Sequence, residues 1–172
     1  MRDNALSVAN YFVKLAKRDN KPITLLGLVK RVYIAHGYYL AIHHKPLIDH
    51  RFDRVEAWKY GPVIPSVYHS FKQYRSNPIT DETVIMEWDL EKSAPIFKTP
   101  HLNDKEAKKV VEFVWSRYYD KSDSYMVTLT HRPGTPWGVC YIEGQNNIIP
   151  DEITEIYYTK IVDLFRAKNN RE

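Results

Sequence analysis

The chain has 172 residues, of which 44% are hydrophobic and 27% are charged, a composition typical of a globular protein. No apolar run approaches the roughly 18 residues of a membrane-spanning helix, and the polar N-terminus lacks an apolar signal core, so we expect no membrane partner. A single cysteine, Cys140, excludes an internal disulfide framework and predicts a reducing, cytoplasmic location.

Charge is unevenly distributed along the chain. The net charge is +4, with 13 Lys and Arg against 7 Asp and Glu in residues 1–86, and 12 against 14 in residues 87–172. A basic half is compatible with contact to nucleic acid or to an acidic partner. The alternative is ordinary solvated side chains, because Lys14, Lys17 and Arg18 lie opposite the apolar face of their predicted helix.

The chain begins with two predicted helices. Apolar residues at i, i+3 and i+4 predict the first over residues 3–17, and the break at Lys21-Pro22 ends it. Thr24 is a candidate N-cap for the second helix, which ends near residue 43.

Residues 56–65, called the Trp58 segment below, follow. Alternation with a period of two over residues 55–60 predicts a short strand with Glu56, Trp58 and Tyr60 on one face. Gly61-Pro62 predicts a turn, and Pro65 suits the first position of a helix to about residue 74. Trp58 is interpreted as packing in the core, the alternative being an exposed binding residue. Glu56 is a candidate ion-pair partner of a basic residue on the second helix, such as Lys30.

The second half predicts a hairpin and three more helices. Residues 83–88 and 94–98 are extended and apolar, with Val84, Met86 and Trp88 alternating with Ile85 and Glu87. Asn103 or Asp104 is a candidate N-cap for a helix that includes Tyr118, and further helices follow from Ser122 or Asp123 to His131 and after Pro150. The sequence therefore predicts a mainly α (α+β) fold, a single compact domain over residues 1–172 with about six helices and a small antiparallel sheet or hairpin.

Residues 129–137, called the Trp137 segment, couple a second tryptophan to a Pro/Gly corner. His131 closes the short helix, Pro133-Gly134 stops it, and Pro136 precedes Trp137. Two roles for His131 are open. In a functional role, it presents an imidazole to a partner. In a structural role, it caps its own helix or binds a backbone carbonyl near Trp137.

These patterns resemble a known family. The order of Lys30, Tyr33, Ala35, His36 and Gly37, then residues 45–47, the Trp58 segment and the Trp137 segment, is similar to the Panacea domain, also called SocA-like or phage-associated GepA-like. Arg31-Val32 departs from it, since the family usually has two leucines there. The motif residues are Tyr33, Gly37, Glu56, Trp58, Tyr60, Gly61, Pro62, Pro65, His131, Pro136 and Trp137.

The resemblance implies an antitoxin of a bacterium or phage. Such a protein neutralises a cognate toxin encoded by the adjacent gene, or delivers that toxin to a housekeeping protease. The resemblance implies no enzyme activity.

The residues themselves indicate no chemistry. His43, His44 and His50 lie near Asp49 and Asp53 in sequence, but neither a four-ligand zinc pattern nor a His-Glu-x-x-His helix is present. Cys140 lacks the context of a catalytic thiol, and no nucleophile elbow, phosphate-binding loop or dinucleotide fingerprint occurs. We therefore predict no catalytic residue, no cofactor and no metal.

Tyrosine is the stronger functional signal, with 13 in the chain. Adjacent tyrosines on a helix are about 100° apart, so we expect one member of each pair at the surface, where tyrosine and arginine favour protein–protein contacts. The alternative is that they straddle the core boundary with hydrated hydroxyls. The predicted partner-contact residues are Tyr38, Tyr39, Tyr74, Arg75, Tyr118, Tyr119 and Arg132.

A second function is kept as an alternative, a nucleic-acid-binding transcriptional regulator. The first two helices, joined at residues 20–23, would form a helix-turn-helix in the basic half. Lys30 and Arg31 are the only basic side chains on the second helix, which is few for a recognition helix. Self-association into a homo-oligomer is left open.

Overall fold

A long central helix organises the fold. The computed structural model describes residues 5–169, and in it α2 (Leu25–His43) has 16 of its 19 residues buried. A helix buried on nearly every side is a core helix rather than a surface one. It packs against the first, fourth, fifth and last helices.

Thr24 caps α2 as predicted, its hydroxyl accepting a hydrogen bond from the Gly27 N–H. The other helices and strands, in chain order, are α1 (Ala5–Arg18), β1 (Glu56–Trp58), β2 (Gly61–Val63), α3 (Pro65–Phe71) with a 3₁₀ turn (Lys72–Tyr74), β3 (Ile85–Asp89), β4 (Ala94–Lys98), α4 (Lys105–Tyr118), α5 (Asp123–His131), α6 (Pro136–Cys140), β5 (Asn147–Ile148) and α7 (Asp151–Asn169).

The described residues form a mainly α fold with small antiparallel sheets, as the sequence predicts. One sheet has the strand order β2-β1-β5, and β3 and β4 form a separate hairpin. Residues 5–169 contain seven α-helices rather than six, because Pro136–Cys140 forms a short helix of its own. The predicted beginning of the first helix, at residue 3, lies outside the described residues. The assignment of the whole chain to one domain stays a prediction.

The predicted turn at Gly61-Pro62 is wrong. Both residues belong to β2, where Pro62 is opposite Ala57 and Gly61 is opposite Trp58. The chain instead reverses at Lys59 and Tyr60, in a two-residue hairpin loop of the kind that alternation alone does not reveal. Gly61 makes this possible with a φ of 100°, in the region that favours glycine.

Two motif residues of α2 meet α7. Gly37 lets the helices approach closely, since a Cβ there would lie 2.3 Å from the Tyr158 ring. Tyr33 is buried with its ring edge against the same tyrosine, the ring centroids being 6.1 Å apart. Pro65 takes the first position of α3, as predicted.

The alternative of a helix-turn-helix is contradicted by the burial of α2. Lys30 and Arg31 are buried, and each is used inside the protein. The Arg31 guanidinium donates to the carbonyl oxygens of Tyr118 (2.6 Å), the last residue of α4, and of Lys121 (3.1 Å), just beyond it. A cation at this end of a helix offsets the helix dipole. Neither side chain is free to reach a DNA groove.

Candidate functional site

The Trp58 and Trp137 segments pack against each other. The Trp137 indole N–H donates to the Trp58 carbonyl at 2.8 Å, and the His131 Nε2–H donates to the Lys59 carbonyl at 3.0 Å. Two consecutive carbonyls of the β1–β2 hairpin are thus bound by two side chains more than seventy residues further along the chain. This pair of bonds fixes the hairpin on the corner between α5 and α6.

Ring stacking reinforces the same corner. His131 lies on Trp137 with ring centroids 3.6 Å apart, and Tyr141 stacks on Trp137 at 4.5 Å. Thr135 caps α6 by accepting from the Gly138 N–H, and Pro136 takes the first position of that helix. His131 therefore binds a backbone carbonyl near Trp137, as its structural interpretation predicts, and its part in partner contact stays a prediction.

A buried lysine supports the other strand of the hairpin. Lys30 is fully buried and donates to the Pro62 carbonyl at 2.9 Å. Burial lowers the pKa of Lys30 to about 7, because the low-dielectric interior disfavours the charged ammonium. The predicted pair of Glu56 with Lys30 is wrong, since Glu56 accepts from the Trp58 indole N–H at 2.8 Å.

An apolar groove lies beside this hairpin. Its cavity of about 430 Å³ is lined by Leu26, Val29, Trp58, Tyr60 and Arg75, among others. Trp58 is half-buried, with its ring edge-on to Tyr68 at 5.0 Å, and Tyr60 is exposed. Trp58 thus packs partly on the core and partly lines the groove, so it combines the two roles weighed for it.

The β3–β4 hairpin, called the hydrophobic hairpin below, presents a second apolar surface. Met86 is opposite Phe97 and Trp88 is opposite Pro95, so these side chains share one face of the ribbon. Met86, Trp88 and Phe97 are 66%, 60% and 70% exposed, and Val84 and Leu90 are also more than half exposed. Contiguous exposed apolar patches of this kind mark interaction sites.

The hydrophobic hairpin extends from the body of the protein and is held at its base. No other described element packs extensively on β3 or β4. The buried Asn10 of α1 donates to the carbonyls of Thr83 and Pro100, both at 3.0 Å, and accepts from the Thr83 N–H at 2.8 Å. One side chain thus binds the chain on both sides of the hairpin and sets the position from which it projects.

Comparison with known proteins identifies the family. The family model described as antitoxin SocA-like, Panacea domain, matches residues 28–138. The chain belongs to this Panacea family. It is 32% identical over 136 residues to antitoxin SocA of Caulobacter vibrioides (strain NA1000 / CB15N), and the alignment covers 79% of this chain and 69% of that protein. No solved structure matches the chain.

Three of the predicted contact residues of this Panacea chain are buried, so their predicted exposure is wrong. Tyr38, Tyr39 and Tyr118 are at most 7% exposed. Tyr38 and Tyr39 are adjacent on α2, and both are covered because α2 is surrounded by helices. Tyr38, for example, meets the rings of Phe113 and Tyr158 edge-on at 5.2 Å.

The remaining contact candidates lie at or near the surface. Tyr119, Arg75 and Arg132 are exposed, and Tyr74 is half-buried with its hydroxyl accepting from the Asp81 N–H at 3.2 Å. Their role in partner contact stays a prediction. None of these four residues belongs to the hydrophobic hairpin. Of the four, Arg75 is the one that lines the apolar groove.

The exposed face of the hydrophobic hairpin is the feature that sequence reasoning missed. The alternation of Val84, Met86 and Trp88 with Ile85 and Glu87 was visible, but alternation does not say which face is covered. No sequence signal indicates this exposure. Glu87 pairs with Lys98 at 2.5 Å on the opposite face, and a charged face opposite an apolar face is also the pattern of a ribbon whose apolar face packs on a core.

The description of the Panacea family names it as antitoxin-like, and membership of the family suggests a non-enzymatic role. Within residues 5–169, no helix combines the length and the apolar character needed to cross a membrane.

Proposed function

We propose that this Panacea chain is an antitoxin that neutralises a cognate protein toxin, encoded by the adjacent gene, by binding it directly. Family membership and the similarity to antitoxin SocA support the antitoxin role. Neutralisation by binding needs no catalytic residue, because any surface that captures the active toxin lowers its free concentration by mass action.

The observation that carries the binding proposal is the exposed face of the hydrophobic hairpin. Trp88, Met86 and Phe97 are large, exposed and adjacent across two paired strands. Tryptophan, tyrosine and arginine dominate binding hot spots, and methionine and phenylalanine are enriched at interface centres. A standard interface buries about 800 Å² on each partner, so the hairpin face would supply its centre and the neighbouring surface its rim.

The toxin is favoured as the occupant because the family name points to a toxin as partner. A second copy of this chain would be the alternative occupant, through a symmetric contact of the same face. Delivery of the bound toxin to a housekeeping protease is a further step that the same contact would permit.

Co-expression with the product of the adjacent gene tests the proposal. The full chain, the triple variant M86S/W88S/F97S and the control F52S are compared by pull-down and by host growth. Phe52 is a matched control because it is an exposed aromatic outside the hairpin. We expect the wild type and F52S to form a complex and restore growth, and the triple variant to do neither.

Each other outcome has a defined meaning. Rescue with falling toxin levels and no stable complex would indicate delivery to a protease. Full rescue by a folded triple variant would exclude the hairpin face as the docking surface. A wild-type dimer that the triple variant converts to a monomer would show that a second copy covers this face. No rescue by the wild type would contradict the antitoxin role.

A further inference from the structure

The folded chain brings two histidines and an aspartate together from three distant segments. His36 lies in the middle of α2, His50 in the loop between α2 and β1, and Asp151 at the beginning of α7. His36 Nε2 is 2.9 Å from Asp151 Oδ1, and His50 Nε2 is 2.5 Å from Asp151 Oδ2. One carboxylate therefore bridges two imidazoles, and one ligand atom from each residue lies within 4.8 Å of the others.

We propose that His36, His50 and Asp151 form a binding site for a divalent transition-metal ion, with Zn²⁺ as the preferred ion. Two imidazoles and a carboxylate are a donor set that zinc takes in proteins, with a water as the fourth ligand. Imidazole nitrogen favours zinc and its neighbours over Mg²⁺ and Ca²⁺, which prefer oxygen.

Burial and access are both suitable for such an ion. The His36 side chain is fully buried and Asp151 is mostly buried, whereas the His50 side chain is 46% exposed. The two inner ligands are held by packed helices, and the outer one is open to solvent, from which the ion and its water can enter.

One feature limits the expected affinity. When Nε2 of His36 binds the ion, its proton moves to Nδ1, and that buried atom has no hydrogen-bond partner within the described part of the chain. Tight zinc sites usually support each histidine through its second nitrogen. We therefore expect an ion that exchanges and that a chelator removes, with a higher melting temperature when the ion is bound, because it joins three segments of the folded state.

A matched control lies nearby. His44 pairs with Glu155 of α7 through one imidazole and one carboxylate, Nδ1 to Oε1 at 2.7 Å. This exposed pair has the same chemistry and joins similar segments, but it lacks the second imidazole.

The test is Zn²⁺ titration of the chelator-treated full chain by calorimetry, comparing the wild type with H50A, D151N and H44A. We expect one equivalent bound by the wild type and by H44A. Loss of an outer-shell partner alone typically costs about 10–100-fold in affinity, so loss of a ligand in H50A or D151N should cost at least about tenfold. Equal loss in H44A, or wild-type binding by D151N, would overturn the proposal.

A measurement on the unmodified protein covers the case of variants that fail to fold. Nitrogen-15 spectra of the histidine rings should show Zn²⁺-dependent shifts at Nε2 of His36 and His50, with His44 unchanged as an internal reference. Shifts confined to exposed histidines such as His44 would show adventitious binding only and would refute the site.

Discussion

The two hairpins of this protein use the same residue types in opposite ways. In the β1–β2 hairpin, the Trp58 and Lys59 carbonyls accept bonds from Trp137 and His131, and the aromatic rings stack into the protein. In the hydrophobic hairpin, Trp88 is 60% exposed, and no other element of the described residues packs extensively on β3 or β4. The first hairpin is bound to the body of the protein through its backbone, whereas the second presents an exposed apolar face.

This difference separates stability from recognition. Aromatic residues in a buried, hydrogen-bonded corner contribute mainly to the free energy of folding. The same residues on an uncovered ribbon contribute little to folding and present area to a partner. We propose that the family motifs of the Panacea domain hold this hydrogen-bonded corner together, and the surface proposed to bind the toxin lies elsewhere in the matched region, in residues 85–98.

The largest expected effect is on stability at the corner. Trp137→Ala removes a buried indole, its bond to Trp58 and two stacked contacts, and should lower the free energy of unfolding by about 3–5 kcal/mol. Trp88→Ala is the matched tryptophan variant, and we expect it to change that free energy by less than about 0.5 kcal/mol. Urea denaturation measures both. Similar losses in the two variants would contradict the division between the hairpins.

The pKa of Lys30 offers a pH-dependent test of how the β1–β2 hairpin is held on α2. This pKa is lowered by burial to about 7, whereas the unfolded chain has a lysine pKa of about 10.4. Between pH 7 and pH 10 the unfolded state holds a proton that the folded state lacks, so this residue makes stability rise with pH across that window. Below pH 7 both states are protonated, and the dependence disappears.

The measurement is the free energy of unfolding of the wild type, Lys30→Met and the exposed control Lys59→Met at pH 7 and pH 10. The difference between wild type and Lys30→Met should grow in favour of the wild type as pH rises, while Lys59→Met follows the wild type. A pH-independent difference would mean that Lys30 is protonated in the folded state throughout.

A smaller effect is expected at the base of the hydrophobic hairpin. Asn10→Ala removes three hydrogen bonds to Thr83 and Pro100 and leaves buried backbone groups unpaired, at a cost of about 1–3 kcal/mol. Hydrogen exchange should accelerate at the amides of residues 85–98, and toxin neutralisation should weaken although no contact residue has changed. The exposed Asn77→Ala is the control. Unchanged exchange in Asn10→Ala would show that the hairpin is positioned without this residue.

The smallest effect is expected at His131. His131→Phe keeps a ring on Trp137 but loses the bond to the Lys59 carbonyl, which should cost about 0.5–1.5 kcal/mol in the free energy of unfolding. Toxin binding should stay unchanged, as in the exposed control His101→Phe. Loss of toxin binding without loss of stability would instead indicate that His131 presents its imidazole to the partner.

Much of the fold was predictable from local patterns. The caps at Thr24, Asp104 and Ser122 and the proline at position 65 are local signals, and each begins a helix in the structure. The mainly α class and the β3–β4 pairing follow from periodicity, which depends on neighbours in sequence.

What could not be predicted depends on which faces are covered in three dimensions. Tyr38 and Tyr39 were expected to divide between core and surface, but helices surround α2 on all sides. Lys30 was expected to pair with Glu56, but it donates to the Pro62 carbonyl. Pro62 belongs to β2, a strand that the turn predicted at Gly61-Pro62 did not reveal. His36, His50 and Asp151 are spread over more than a hundred residues, so no spacing rule joins them.

The most direct test of the binding proposal is hydrogen exchange of the full chain, free and in complex with the product of the adjacent gene. We predict that the toxin slows exchange in the hydrophobic hairpin, residues 85–98, and leaves the β1–β2 hairpin and residues 131–141 unchanged. Protection confined to the β1–β2 hairpin and the apolar groove beside it, with residues 85–98 exchanging as in the free protein, would contradict the assignment of the toxin surface.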